Sequence, residues 1–278
     1  MQSGPSEKFG ASLRRPRLSG PSLSKRLSIQ RDVIVALMTR NLMAKYGRGN
    51  LGFLWLIVEP TFLVAGVITL WSFLYPEGKH GIPVAAFVLS SYMPLTMWRH
   101  LATTPRLLSG SFGLLYFRRI TVFDIVIARA LTEIASVSAA GLVVYFLLLS
   151  VGIVRWIYDP TLVLAGWLMM CWFGFSAGCL IAGLSEKADI VDSLIQPIQY
   201  LLLPISGVFF MVSWLPKSAQ DLILLVPQVH IYEMFRAGFF EPSVQTHYSI
   251  GYIVIWTIVQ TCLGLWAVAS SRERLTFR

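Results

Sequence analysis

Charge is scarce in this sequence: 13% of its 278 residues are Asp, Glu, Lys or Arg, against 55% that are hydrophobic. A water-soluble domain carries about a quarter charged residues, so the chain is built for a solvent other than water. Its mean hydropathy of +0.66 points the same way. The useful ruler is then the bilayer, whose hydrocarbon core of about 30 Å takes roughly 20 apolar residues per helical span.

Cysteine is also scarce. Cys171, Cys179 and Cys262 all lie in apolar runs, and the first two, on one predicted helix, stand too far apart to bridge. None has metal-type spacing, so they read as small apolar side chains. There is no Gly-x-x-x-x-Gly-Lys-Ser/Thr loop, so the chain cannot cradle a nucleotide in the usual way, and any ATP work belongs to a partner. Residues 1–29 hold no apolar run, which predicts no secretory signal. No internal repeat is visible, which weighs against a secondary transporter.

What charge there is sits unevenly. The net charge is +9, and ten basic residues precede the first apolar run: Lys8, Arg14, Arg15, Arg17, Lys25, Arg26, Arg31, Arg40, Lys45 and Arg48. That placement is membrane topology rather than a nucleic-acid footprint. Residues 1–29, rich in Ser, Pro, Gly and Arg, predict a disordered basic cytoplasmic tail. Residues 31–48, with a short apolar patch from Val33 to Met38, predict an interfacial helix.

Six spans follow, at about 53–75, 82–104, 125–154, 161–184, 193–212 and 249–269. Between the fifth and sixth, short apolar runs punctuated by Pro216, Pro227 and Pro242 predict re-entrant or interfacial helices. The N-terminal basic set shares one face with Arg106, Arg118, Arg119, Lys187, Arg272, Arg274 and Arg278. The other face has only Lys79, Arg155, Lys217 and Arg236. The first face is therefore expected in the cytoplasm, with both termini. The predicted class is an all-α integral membrane protein.

Several motifs compete for a chemical role. Gly174-Phe175-Ser176-Ala177-Gly178 matches the serine-hydrolase pattern Gly-x-Ser-x-Gly. It lies in mid-span without an obvious base, so close helix packing through small residues is the preferred reading. His230 and Glu233, three apart on a predicted short helix, are two ligands without further partners, and no metal site is assigned. Glu59, Arg129 and Glu133 are charges inside spans, each costly in lipid. Arg129 and Glu133, four apart, are expected to pair with each other on one helix face.

Tyr46-Gly47-Arg48, Leu51-Gly52-Phe53-Leu54-Trp55 and Glu59-Pro60 resemble the opening of the first span of ABC-2 type export permeases. Leu114 to Arg119, Ile127-Ala128-Arg129-Ala130-Leu131 and Glu133 resemble the capsular polysaccharide export branch, as do Pro227-Gln228-Val229-His230, Glu233, Arg236 and Ala237. The similarity runs from about Arg31 to Arg274, with Val226 where the family often has Asn.

The resemblance implies a homodimer bound to two copies of a separate ATPase, which holds the ATP and Mg; no cofactor is expected on this chain. It implies a lipid-linked polysaccharide as cargo, a periplasmic co-polymerase and an outer-membrane channel as further partners, and the bacterial inner membrane as location. ATPase coupling would fall to Arg106, Leu114, Phe117, Arg118 and Arg119, with Arg40, Lys45 and Arg48 in the adjoining platform. The substrate path or outer gate would use Phe209, Phe210, Trp214, His230, Tyr232, Glu233 and Arg236. Arginine suits acidic groups and aromatic rings suit sugar faces. Other cargoes, such as O-antigen, teichoic acid or a lipophilic drug, and an intramembrane hydrolase built on Ser176 are the alternatives.

Overall fold

The computed structural model describes residues 23–47, 50–76, 78, 80–104, 107–115 and 120–276. Among these the regular structure is helical. In chain order the helices are α1 Leu23–Tyr46, α2 Asn50–Leu74, α3 Val84–Ala102, α4 Phe112–Leu115, α5 Val122–Ser150, α6 Pro160–Ser185, α7 Asp189–Leu202, α8 Lys217–Ile223, α9 Pro227–Phe239 and α10 Ile250–Thr276. We call the end of the bundle holding α1 and α4 the base, and the end holding α8 and α9 the crown.

Local chemistry explains the helix starts. Thr121 Oγ1 accepts from the Asp124 N–H at 3.3 Å, and Asp124 Oδ2 accepts from the Thr121 N–H at 2.8 Å. This reciprocal box fixes the first turn of α5. Asp159 Oδ1 accepts from the N–H groups of Thr161 and Leu162 at the head of α6, whose first residue is Pro160. Proline suits that position because its missing N–H would have no helical partner there.

Among the described residues, three helices are long and apolar enough to cross a membrane: α5, α6 and the part of α10 from Ile250 to Ser271. In α2 the apolar stretch found is Thr61–Leu74, and α3 has 19 residues with Arg99 and His100 in its last turn.

The fifth expected span, 193–212, is not one helix. α7 runs only from Asp189 to Leu202, 14 residues or about 21 Å. Pro197 lies inside it without ending it. The chain turns beyond Leu202, where Pro204 has no N–H to extend the ladder and Gly207 takes a φ of +89°. Val208, Met211 and Val212 then bury themselves under the crown. α1 also differs from expectation. It begins at Leu23, so residues 23–29 are helical although composition assigns them to the tail; the last breakers before them are Gly20 and Pro21.

α6 is the centre of the fold, packing on α3, α9 and α10. A β-carbon on Gly178 would stand 2.3 Å from the Leu101 carbonyl oxygen, and one on Gly183 would stand 2.3 Å from the Ala267 carbonyl carbon. Only glycine lets these backbones come so close. The Gly-x-Ser-x-Gly motif is thus part of a helix-packing seam: Ser176 is buried and its hydroxyl donates to the Phe173 carbonyl at 2.8 Å. The core runs the length of the bundle. Phe87, Leu89, Val144 and Phe235 fill the crown, Met97, Met170, Ile231 and Ile253 the middle, and Leu108, Val126 and Val268 the base.

Candidate functional site

At the base, Glu133 does not pair with Arg129. Its Oε2 accepts from Lys45 Nζ at 2.7 Å and from His100 Nδ1 at 2.9 Å, joining α5 to α1 and α3. Arg129 instead donates through Nη2 to the carbonyl of Thr103, the residue that ends α3, at 2.8 Å. The expected ion pair within α5 is therefore replaced by two contacts to other helices. The spacing correctly puts both residues on one face, but the last turns of α1 and α3 are close enough to compete for each.

The connection between α3 and α5 is tied to α6. Thr104 Oγ1 donates to the Gly178 carbonyl at 2.8 Å, and Glu186 Oε1 accepts from the Leu108 N–H at 3.2 Å. Leu108 is wholly buried, while Leu114 in α4 is half-buried. Of the expected coupling residues, Lys45 turns to Glu133, and Arg40 is exposed with Nη2 donating to Asn41 Oδ1 at 3.3 Å. Arg48, Arg106, Phe117, Arg118 and Arg119 lie outside the described residues, as does the Glu59 side chain.

The crown is organised by α9, which starts at Pro227 and buries almost all of its residues. Arg236 is completely buried. Its Nη1 donates to the Phe210 carbonyl at 2.7 Å, and its Nη2 donates to Ser91 Oγ at 2.7 Å and to the Val208 carbonyl at 3.2 Å. The guanidinium also lies 4.8 Å from the centre of the Phe87 ring. Glu233, one turn earlier, is 3.6 Å from Arg236 Nη1 and accepts the N–H groups of Val212 and His247. Burial favours the neutral form of both groups, raising the Glu233 carboxyl and lowering the Arg236 guanidinium; their mutual attraction opposes both shifts.

The other expected gate residues divide between interior and surface. His230 is buried, with Nε2 donating to the Leu224 carbonyl and Nδ1 accepting the Ser249 N–H. Tyr232 has no exposure, whereas Phe209 is exposed and Phe210 half-buried. Trp214 stacks on His80 with ring centres 4.8 Å apart and leans on Phe87 at 5.0 Å. His230, Tyr232, Glu233 and Arg236 therefore stand together as an internal scaffold, and Phe209, Phe210 and Trp214 are less buried than it.

Residues missed from sequence include Ser91, Glu186 and Asp124. Their partners are 145, 78 and 94 positions away, and no local pattern links them.

Residues 32–240, about three quarters of the chain, match the family model of the ABC-2 type transporter. The chain belongs to the ABC-2 type transporter family. This ABC-2 transporter is 36% identical over 249 residues to the capsule polysaccharide export inner-membrane protein CtrC of Neisseria meningitidis serogroup A, covering 89% of this chain and 94% of the relative. It is 35% identical over 240 residues to the capsule polysaccharide export inner-membrane protein BexB of Haemophilus influenzae, covering 86% and 91%. The polysialic acid transport protein KpsM of Escherichia coli is 22% identical over 250 residues, covering 88% and 95%. Family membership and the long apolar helices make the chain a multi-pass membrane transport protein.

Proposed function

We propose that this chain is the permease subunit of an ATP-driven exporter that moves lipid-linked capsular polysaccharide from the cytoplasm across the inner membrane. The observation that carries this reading is the match at 36% identity to 94% of a protein named for capsule polysaccharide export. Similarity over 94% of the relative involves both the base and the crown.

In this reading α2, α3, α5, α6 and α10 cross the bilayer, α7 and the segment to Val212 make a broken fifth passage, and α8 and α9 dip into the outer leaflet. The base faces the cytoplasm because the basic residues gather there. It receives a separate ATPase, two copies serving two permeases. Buried side chains from Phe87 to Val268 pack the bundle along its length, which favours a conduit between two copies. α7 supports this, because it exposes Ser193, Gln196 and Tyr200 beside Leu194 and Ile198, a mixture poorly suited to lipid alone. A periplasmic co-polymerase and an outer-membrane channel complete the route.

The test is purification of the tagged chain from its native membrane together with complementation of a permease-null capsulated strain. A stoichiometric partner carrying a phosphate-cradling loop and restored surface capsule are expected. Recovery without any ATPase, or restoration of a different surface polymer, would overturn the reading.

A further inference from the structure

Two residues one turn apart on α5 hold the ends of two other helices. Arg129 gives its charge to the carbonyl end of α3 through Thr103, and Glu133 takes Lys45 from the last turn of α1. Both choices follow the helix dipole or direct charge pairing. The Glu133 side chain is 7% exposed and that of Lys45 34%, so the pair is shielded on the carboxylate side. A second tie lies lower: Gln30 Nε2 donates to Asp124 Oδ1, and Asp124 also closes the capping box of α5 with Thr121. Between the two ties α1 buries Leu37 and half-buries Val33, Ile34 and Met38.

The spacing fixes how α1 lies. Gln30 and Lys45 are separated by about 22 Å of helix, and their partners Asp124 and Glu133 by about 13 Å of α5. α1 therefore climbs along α5 as it crosses it, bound near both ends. Thr103, held by Arg129, is the root of the connection that carries α4. α5 thus meets the two elements of the base that any cytoplasmic partner would touch.

We infer that Glu133 and Arg129 are positioning residues that couple these elements, Glu133 by locking α1 to α5 and Arg129 by locking the root of the α4 connection to the same face. A displacement at the base then reaches the membrane as one movement of α1, α5 and the end of α3. This rests on the reading of the chain as an ATP-driven permease.

The experiment uses Lys45→Glu, Glu133→Lys and the exchanged double variant, with Glu133→Gln as an isosteric control. One measurement is made on the purified permease alone. In a Cys262→Ser background, spin labels at Ala36→Cys in α1 and Ala139→Cys in α5, both exposed positions, report the distance between the helices. Each charge reversal broadens that distance, and the exchanged pair restores the narrow wild-type distribution. The other measurement is polymer exported per ATP hydrolysed by the complex. It falls by about tenfold or more in each reversal, consistent with the cost of an unpaired shielded charge, and recovers in the exchange. Glu133→Gln keeps wild-type yield and loses part of the coupling. A purely structural defect would lower hydrolysis and export together and would overturn the assignment, as would wild-type distances in both reversals. Failure of the wild-type chain to restore export would strike the proposed function, while the distances would still decide the clamp.

Discussion

Gly238 and Asp159 meet backbone to backbone: the Asp159 N–H donates to the Gly238 carbonyl at 2.9 Å, and a β-carbon on Gly238 would stand 2.8 Å from the Asp159 carbonyl oxygen. The same β-carbon would come within 2.5 Å of the Val163 nitrogen. Neither obstacle is a flexible side-chain tip. Gly238→Ala therefore costs about 1–3 kcal/mol through overpacking, seen as a lower melting temperature in detergent. An unchanged melting temperature would show that α9 and α6 can separate at this point.

Ser176 and Gly178 test the two readings of the Gly-x-Ser-x-Gly segment. Ser176→Ala removes one hydroxyl bonded within its own helix and costs about 1 kcal/mol or less, so surface polymer stays at the wild-type level. Gly178→Ala drives a β-carbon into the Leu101 carbonyl and lowers the amount of folded protein in the membrane. Loss of function in Ser176→Ala with normal protein level would revive the hydrolase.

The buried pair at the crown should behave as a unit. Arg236→Met strands the Glu233 charge and the carbonyls of Phe210 and Val208, a loss of about 3–5 kcal/mol. Adding Glu233→Gln removes the stranded charge and recovers part of that loss. Thermal unfolding of the two single variants and the double gives the coupling; strict additivity would mean that the two side chains act separately.

Trp214 is half-buried and stacked on His80. Trp214→Ala should leave the yield of co-purified ATPase unchanged and lower surface polymer. Equal polymer in variant and wild type would remove Trp214 from the outer gate.

Much of the fold was legible because it is written locally. Asp159-Pro160 announces the head of α6, and Pro227 that of α9. The end of α7 is written differently: hydropathy continues smoothly from Ser193 to Val212, and the helix stops where Pro204 and the left-handed backbone at Gly207 turn the chain.

The candidate site was less legible because its partners are distant. A period of four put Arg129 and Glu133 on one face, but the geometry that gives Glu133 to Lys45 depends on a helix 88 positions earlier. Arg236 looked like a residue for substrate because arginine near a membrane face usually finds water or an anion. It is interior because the segment 208–212 folds over it and offers carbonyl oxygens in place of solvent.

The glycines of α6 restrict more than distance. Gly166 lies against Phe235 of α9, Gly174 and Gly178 against Leu101 of α3, and Gly183 against Ala267 of α10. A rotation of α6 by one residue, about 100°, would carry side chains into all of these contacts at once, and a slide along its axis would do the same. Such a helix retains neither rotational nor axial freedom relative to its neighbours. Any movement that keeps these contacts keeps α6 seated on α3, α9 and α10, whereas α7 buries only Ile195 and Gln199.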